Sequence, residues 1–189
     1  MNKYIENLYK VLFEPATAFE TLKDDTTMAV AVFTVLWTNI FPYFPKHSLG
    51  SGFGGEFIYV IKLIFTLFCI LLFWFVTALF FEFAAKAFGK SGEIRTLLKL
   101  SSYSFLPYIF LPSFELIKKF SQTGYFWGTK LEILLFLWVI FIYSQALRKT
   151  YDLKISSSFI LIFLPFVAFG FAIMWLIGSA FNLGYIYYV

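Results

Sequence analysis

From Phe57 to Phe81 the sequence runs for about 25 residues with one charged side chain, Lys62. A helix needs about 20 apolar residues to cross the hydrocarbon core of a bilayer. In lipid every backbone N–H and C=O must be satisfied within the protein, so a run of this kind is read as a helix. Lys62 stands near its start, where a long side chain can carry its ammonium back to the interface. The rest of the chain agrees. It has 189 residues, 60% hydrophobic and 24% aromatic, with 14% charged. Soluble domains carry about 25% charged residues. An ordinary soluble fold is therefore excluded.

Four further stretches have the same character. The spacing predicts spans at about 28–45, 57–82, 97–117, 131–147 and 158–178. The expected fold is all-α: an integral membrane bundle of five transmembrane helices. Residues 1–27 precede it. Ile5, Leu8, Tyr9 and Leu12 recur at helical spacing, Pro15 restarts the helix, and Ala18, Phe19 and Leu22 form a second short apolar face. This amphipathic arm is too polar to cross. It lies at the interface or packs against the end of the bundle. No cleavable signal peptide is read in it. Residues 46–56, with four glycines, and Ser121 to Thr129, with Gly124 and Gly128, read as loops. Ala84, Ala85, Gly170 and Ala172 are expected points of close helix approach.

Of the 15 Lys and Arg, five fall on one face of a five-span bundle: Lys46, Lys62, Lys118, Lys119 and Lys130. The other ten lie on the opposite face, which places the N-terminus inside and the C-terminus outside. Lys86, Lys90, Arg95 and Lys99 crowd the loop after the second span. They are candidate contacts for anionic headgroups or an acidic partner; alternatively they only set topology. Glu82 and Lys86, four apart on one helix face, form a candidate interfacial ion pair.

The third span is the most polar. Ser101, Ser102, Tyr103, Ser104 and Tyr108 are expected to face other helices rather than lipid. Pro107 and Pro112 remove two backbone donors and should kink or unwind it. A broken polar helix is also what transporters use for substrate sites, with Glu82 as a candidate gate; a packing kink is the plainer reading.

Nothing points to catalysis or a cofactor. His47 is the only histidine and Cys69 the only cysteine, read as a buried packing thiol. There is no H-E-x-x-H or G-x-S-x-G, no gathered metal ligands and no phosphate loop. The basic residues lie between spans, which gives nucleic acid no reading surface.

Three pieces stand in a familiar order: L-Y-K-V-L-F-E-P-A-T-A-F-E-T-L-K at residues 8–23, F-A-A-K-A-F-G-K-S-G-E-I-R-T-L-L-K-L-S-S-Y-S-F-L-P at 83–107, and a fourth span with Trp138 running into R-K-T-Y-D-L-K-I-S-S-S-F. The chain resembles the Ypt-interacting-protein (Yip) family in its prokaryotic form. The resemblance implies a five-span membrane protein with a cytosolic N-terminus and no established enzymatic activity. Eukaryotic members bind Rab-type GTPases and one another. They carry a long cytosolic N-terminal region with an acidic D-L-Y-G-P-like element, which this sequence lacks, so GTPase binding is not carried over. The implied role is a scaffold or accessory subunit in trafficking, export or envelope processes, located in a prokaryotic cytoplasmic membrane. Its partners would be membrane lipids, a membrane protein and possible further copies of itself. A small transporter, channel or lipid-moving protein using the third span is the alternative.

Overall fold

A computed structural model describes residues 3–41, 53–165 and 167. The element order is α1 (Lys3–Phe13), α2 (Pro15–Asp25), α3 (Met28–Ile40), α4 (Phe53–Ala87), α5 (Ile94–Ser101), a 3-10 helix (Ser102–Phe110), α6 (Leu111–Phe120) and α7 (Gln122–Tyr151). A shorter apolar helix, α8 (Ile155–Pro165), follows. Among the described residues there is no strand.

Among the described residues two helices are long and apolar enough to cross a membrane, α4 and α7. Their 35 and 30 residues extend about 52 and 45 Å at ~1.5 Å per residue. Both exceed a hydrocarbon core of about 30 Å. The outer face of α4 is apolar along its length: Phe65, Phe68 and Phe73 are 66%, 61% and 70% exposed. A soluble monomer rarely leaves a contiguous apolar surface of that kind in water. The shorter α3 and α8 are apolar too. Gly170, Ala172, His47 and most of the predicted fifth span lie outside the described residues.

The chain from Ile94 to Phe110 is the centre of the bundle. α5 lies against α2, α3, α4 and α7, and the 3-10 helix lies against α1, α3 and α7. On one side Leu97 and Leu98 join Ala31, Trp74, Phe81 and Leu147 in a buried cluster. On the other, Leu100, Tyr103 and Leu106 pack with Val11, Phe19, Leu22 and Ile142. Ala84 and Ala85 are buried, as close-approach points should be.

Each boundary has a local cause. Pro15 opens α2, where its missing N–H is no loss. The Thr27 hydroxyl caps α3 by accepting from the Val30 N–H at 3.4 Å. Gly89, at φ +69°, closes α4 in a Schellman turn: the Gly89 N–H bonds Lys86 O at 2.9 Å and the Lys90 N–H bonds Ala85 O at 3.0 Å.

Two expectations need correction. Ser121 to Thr129 is not a loop. Ser121 alone makes the turn, its hydroxyl accepting from the Gly124 N–H at 2.9 Å, and Gln122 already starts α7. Gly124 and Gly128 let α6 and α7 touch: a Cβ on Gly124 would collide with the Ile117 carbonyl, and one on Gly128 would stand 3.1 Å from the Phe114 carbonyl. Cys69 is exposed on α4 rather than buried; an apolar run has a lipid-facing side, and composition does not say which residues lie on it. Smaller shifts go the same way. α4 begins at Phe53, inside the stretch read as a glycine loop, and α5 begins at Ile94, inside the basic loop.

The arm packs on the bundle through Val11, Ala18, Phe19 and Leu22. The Trp138 indole N–H donates to Leu12 O at 3.2 Å. Ile5, Tyr9 and Phe13 remain 55–60% exposed on α1. Lys149 of α7 donates to the Glu20 carboxylate on α2. That hydrogen bond, and then the Lys149 charge, hold the Glu20 carboxyl below its ordinary 4.5. A carboxylate lowered in the folded state adds stability above its unfolded pKa and loses it as pH falls through the folded value. The clasp should therefore be whole at neutral pH and fail below about pH 4.5. Hydrogen exchange of residues 3–25, corrected for intrinsic rates, should rise on acidification in the wild type and far less in Lys149→Gln. Equal acid responses would mean the clasp is not what titrates.

Candidate functional site

The polar groups gather at one end of the bundle, where α4 and α7 finish and α5 starts. It carries Lys86, Lys90, Arg95 and Lys149, and is called the basic end here.

Glu82, in the last turns of α4, is 8% exposed. One carboxylate oxygen meets Lys86 Nζ at 2.7 Å, the pair expected from their spacing. The other accepts from the Tyr151 hydroxyl at 2.5 Å. Tyr151 comes from the end of α7, 69 residues away in sequence, and no local spacing signals it. Its ring is also the wall against which Gly92 sits. About two turns back along α7, the Tyr143 hydroxyl is buried and has no hydrogen-bond partner among the described residues.

These two tyrosines should respond oppositely to loss of the hydroxyl. Tyr151→Phe leaves a buried carboxylate oxygen unpaired and should cost about 1.5–3 kcal/mol. Tyr143→Phe removes a hydroxyl that already lacks a partner and should be neutral or mildly stabilising. Unfolding in mild detergent would compare them. An equal loss in both would show that Tyr143 has an unseen partner.

Where Pro107 is expected to kink or unwind the third span, the chain forms nine residues of 3-10 helix, Ser102–Phe110, with Pro107 inside. In an α-helix the Pro107 ring would meet the carbonyl four residues back. The tighter turn avoids this, and the serines take the carbonyls three residues back: Ser102 Oγ donates to Lys99 O at 2.7 Å and Ser104 Oγ to Ser101 O at 2.6 Å. Ser101 accepts from the Trp74 indole N–H at 2.9 Å, and the Tyr103 and Thr26 hydroxyls stand 3.2 Å apart. Ser101, Ser102, Tyr103, Ser104 and Pro107 are buried, and Tyr108 is half-buried. Pro112 sits in the first turn of α6, where proline is tolerated. Apart from Tyr108, the hydroxyls proposed for a polar face are thus hydrogen-bonded within the bundle.

The four candidate cations separate. Lys86 is bound to Glu82, while Lys90 and Arg95 are exposed. Lys99 alone of the four lines a polar pocket of ≈ 430 Å³, formed with Lys23 and Asp24 of α2, Ser91, Gly92 and Glu93 of the turn, Thr96 of α5 and Thr150 of α7. Sequence reasoning missed this pocket, because its walls come from three distant stretches. Far along the chain, Lys118 is paired with Glu132 across the α6–α7 hairpin at 2.5 Å.

Among known families, the model of the Yip1 domain matches residues 9–177. No curated protein and no solved structure matches the chain significantly.

Proposed function

The chain belongs to the Yip1 domain family, and from that premise we propose that it is a non-enzymatic scaffold or accessory subunit of a prokaryotic cytoplasmic membrane. Yip1 domain proteins are membrane-associated, and the family is not known as one of enzymes. In this reading five spans cross the bilayer, with the basic end and the N-terminal arm inside. The protein works through protein and lipid contacts in trafficking, export or envelope processes.

The observation that carries it is the build of the basic end. Lys90 and Arg95 are presented to solvent by a turn that Gly89 closes and Gly92 holds against Tyr151. A fixed backbone bearing exposed cations loses little freedom when it meets an acidic partner or an anionic surface, where each cation contributes roughly 1 kcal/mol. The transporter alternative draws on the broken third span, but the three serine hydroxyls there are already hydrogen-bonded within the bundle.

Purification from the source membrane in nanodiscs, followed by mass spectrometry, tests the scaffold reading. A stoichiometric membrane-protein partner is expected. A chain recovered only with lipid or with itself would shift the reading to autonomous lipid or solute handling.

A further inference from the structure

Four charged side chains line the pocket at the basic end: Lys23, Asp24, Glu93 and Lys99. None of them forms an ion pair among the described residues. Two other carboxylates at this end are paired, Glu82 with Lys86 and Glu20 with Lys149. Two cations and two carboxylates thus share one concavity, each with its charge unmet. The volume, ≈ 430 Å³, lies within the range of small-molecule sites.

The charge pattern selects the ligand. A simple anion would meet both lysines and be repelled by Asp24 and Glu93. A simple cation meets the reverse. A ligand carrying both signs a few bonds apart satisfies all four groups. Phosphate suits the lysine side for a second reason. Glu93 is the residue before α5 and makes no side-chain cap, so no carboxylate of its own neutralises the positive end of that helix, which favours an oxyanion nearby. Thr96 of the first turn is buried and lines the same wall.

We propose that this pocket binds a zwitterionic phosphoester, its phosphate taken by Lys23 and Lys99 and its ammonium by Asp24 and Glu93. A phospholipid headgroup of the phosphoethanolamine type has this chemistry, and so does its water-soluble glycerol phosphodiester. Phe83 and Phe88, 76% and 63% exposed, stand in and just after the end of α4, within ten residues of the pocket's Ser91 to Glu93. The proposal does not depend on the scaffold reading: a chain that binds no protein partner still has the pocket, and losing the pocket leaves partner recovery intact.

The test uses the full chain in a mild non-ionic detergent, titrated calorimetrically with dihexanoyl-phosphatidylethanolamine, dihexanoyl-phosphatidylglycerol and glycerophosphoethanolamine. The ethanolamine lipid should bind about tenfold or more tightly than the glycerol lipid. Lys23→Gln with Lys99→Gln should weaken it by about tenfold or more. Asp24→Asn with Glu93→Gln should erase the preference and leave phosphatidylglycerol binding unchanged or stronger. Lys119→Gln, exposed on α6 and outside the pocket, should change nothing. Equal affinity for glycerophosphoethanolamine and the lipid would keep the site and make its ligand a free solute; binding of the lipid alone would make it a membrane headgroup. Equal affinities for the two lipids in the wild type, or binding indifferent to both double substitutions in variants of unchanged thermal midpoint, would overturn the proposal.

Discussion

Phe19→Ala should release the N-terminal arm from the bundle at a cost of about 3–5 kcal/mol. Phe19 is fully buried. Its ring centroid lies 6.4 Å from that of Tyr103, and Leu22, Leu100, Ile142 and Ala146 complete the cluster. These neighbours belong to α2, α5, the 3-10 helix and α7, which are held by other contacts and cannot all close on the gap. The lower end of the range is expected. A released arm would rest its apolar face on lipid rather than in water, so the lost term is mainly dispersion and cavity rather than transfer. Val11, Ala18 and Leu22 would border the gap rather than fill it, and the polar links, the Trp138 bond to Leu12 O and the Lys149–Glu20 clasp, are one neutral hydrogen bond and one exposed ion pair, too weak to compensate. Hydrogen exchange should show residues 3–25 losing protection while the middle of α7 keeps its own. Protection lost evenly along the chain would mean that the arm is part of a single cooperative core. Protection unchanged would mean that Phe19 is not the anchor.

The arm also shows what a sequence can and cannot disclose. Its two apolar faces follow from helical spacing, and Pro15 marks the break between them. Docking or lying at the interface depends on whether a complementary surface exists, and that surface is made by residues 100–146. The long apolar run that became α4 was legible for the opposite reason, since its whole length is a local property. The ion pair of Glu82 and Lys86 was legible because both sit on one helix face. Tyr151, which completes it, was not.

The glycines divide along the same line. Gly89 turns the chain, because a left-handed position at a helix end is a local requirement. Gly124 and Gly128 were read as loop markers and instead mark contact between two helices. A glycine chosen for its shape and one chosen for its missing side chain look alike in sequence. The pocket was illegible for a related reason. Lys23, Asp24 and Thr150 each read as an ordinary polar residue near a helix end, and only the packing of α2 and α7 beside α5 sets them around one space.

Gly92→Ala should destabilise the protein more than Gly89→Ala, although only Gly89 has the backbone angle that usually signals an indispensable glycine. At Gly89 an added Cβ meets nothing within 4 Å, and the φ of +69° carries a penalty of about 1–2 kcal/mol. At Gly92 the added Cβ would stand 2.6 Å from Tyr151 Cε1 and 2.8 Å from Thr150 O. The carbonyl is backbone and cannot swing aside. The Tyr151 ring is 1% exposed, and its hydroxyl is held by Glu82 at 2.5 Å. Either the 88–93 turn shifts, at an overpacking cost of about 1–3 kcal/mol, or the ring moves and forfeits a bond to a carboxylate worth about 1.5–3 kcal/mol. With both partly paid, a loss of about 3 kcal/mol or more is expected, which for a chain of this length lowers the thermal midpoint by about 2–4 °C per kcal/mol. The two costs are coupled, so Gly92→Ala should be milder in a Tyr151→Phe background, where the ring is no longer pinned, than in the wild type. Thermal unfolding of the four variants in one detergent decides the matter. A Gly89→Ala variant at least as unstable as Gly92→Ala, or strictly additive losses at Gly92 and Tyr151, would show that the contact between the turn and α7 is not what holds the basic end in place.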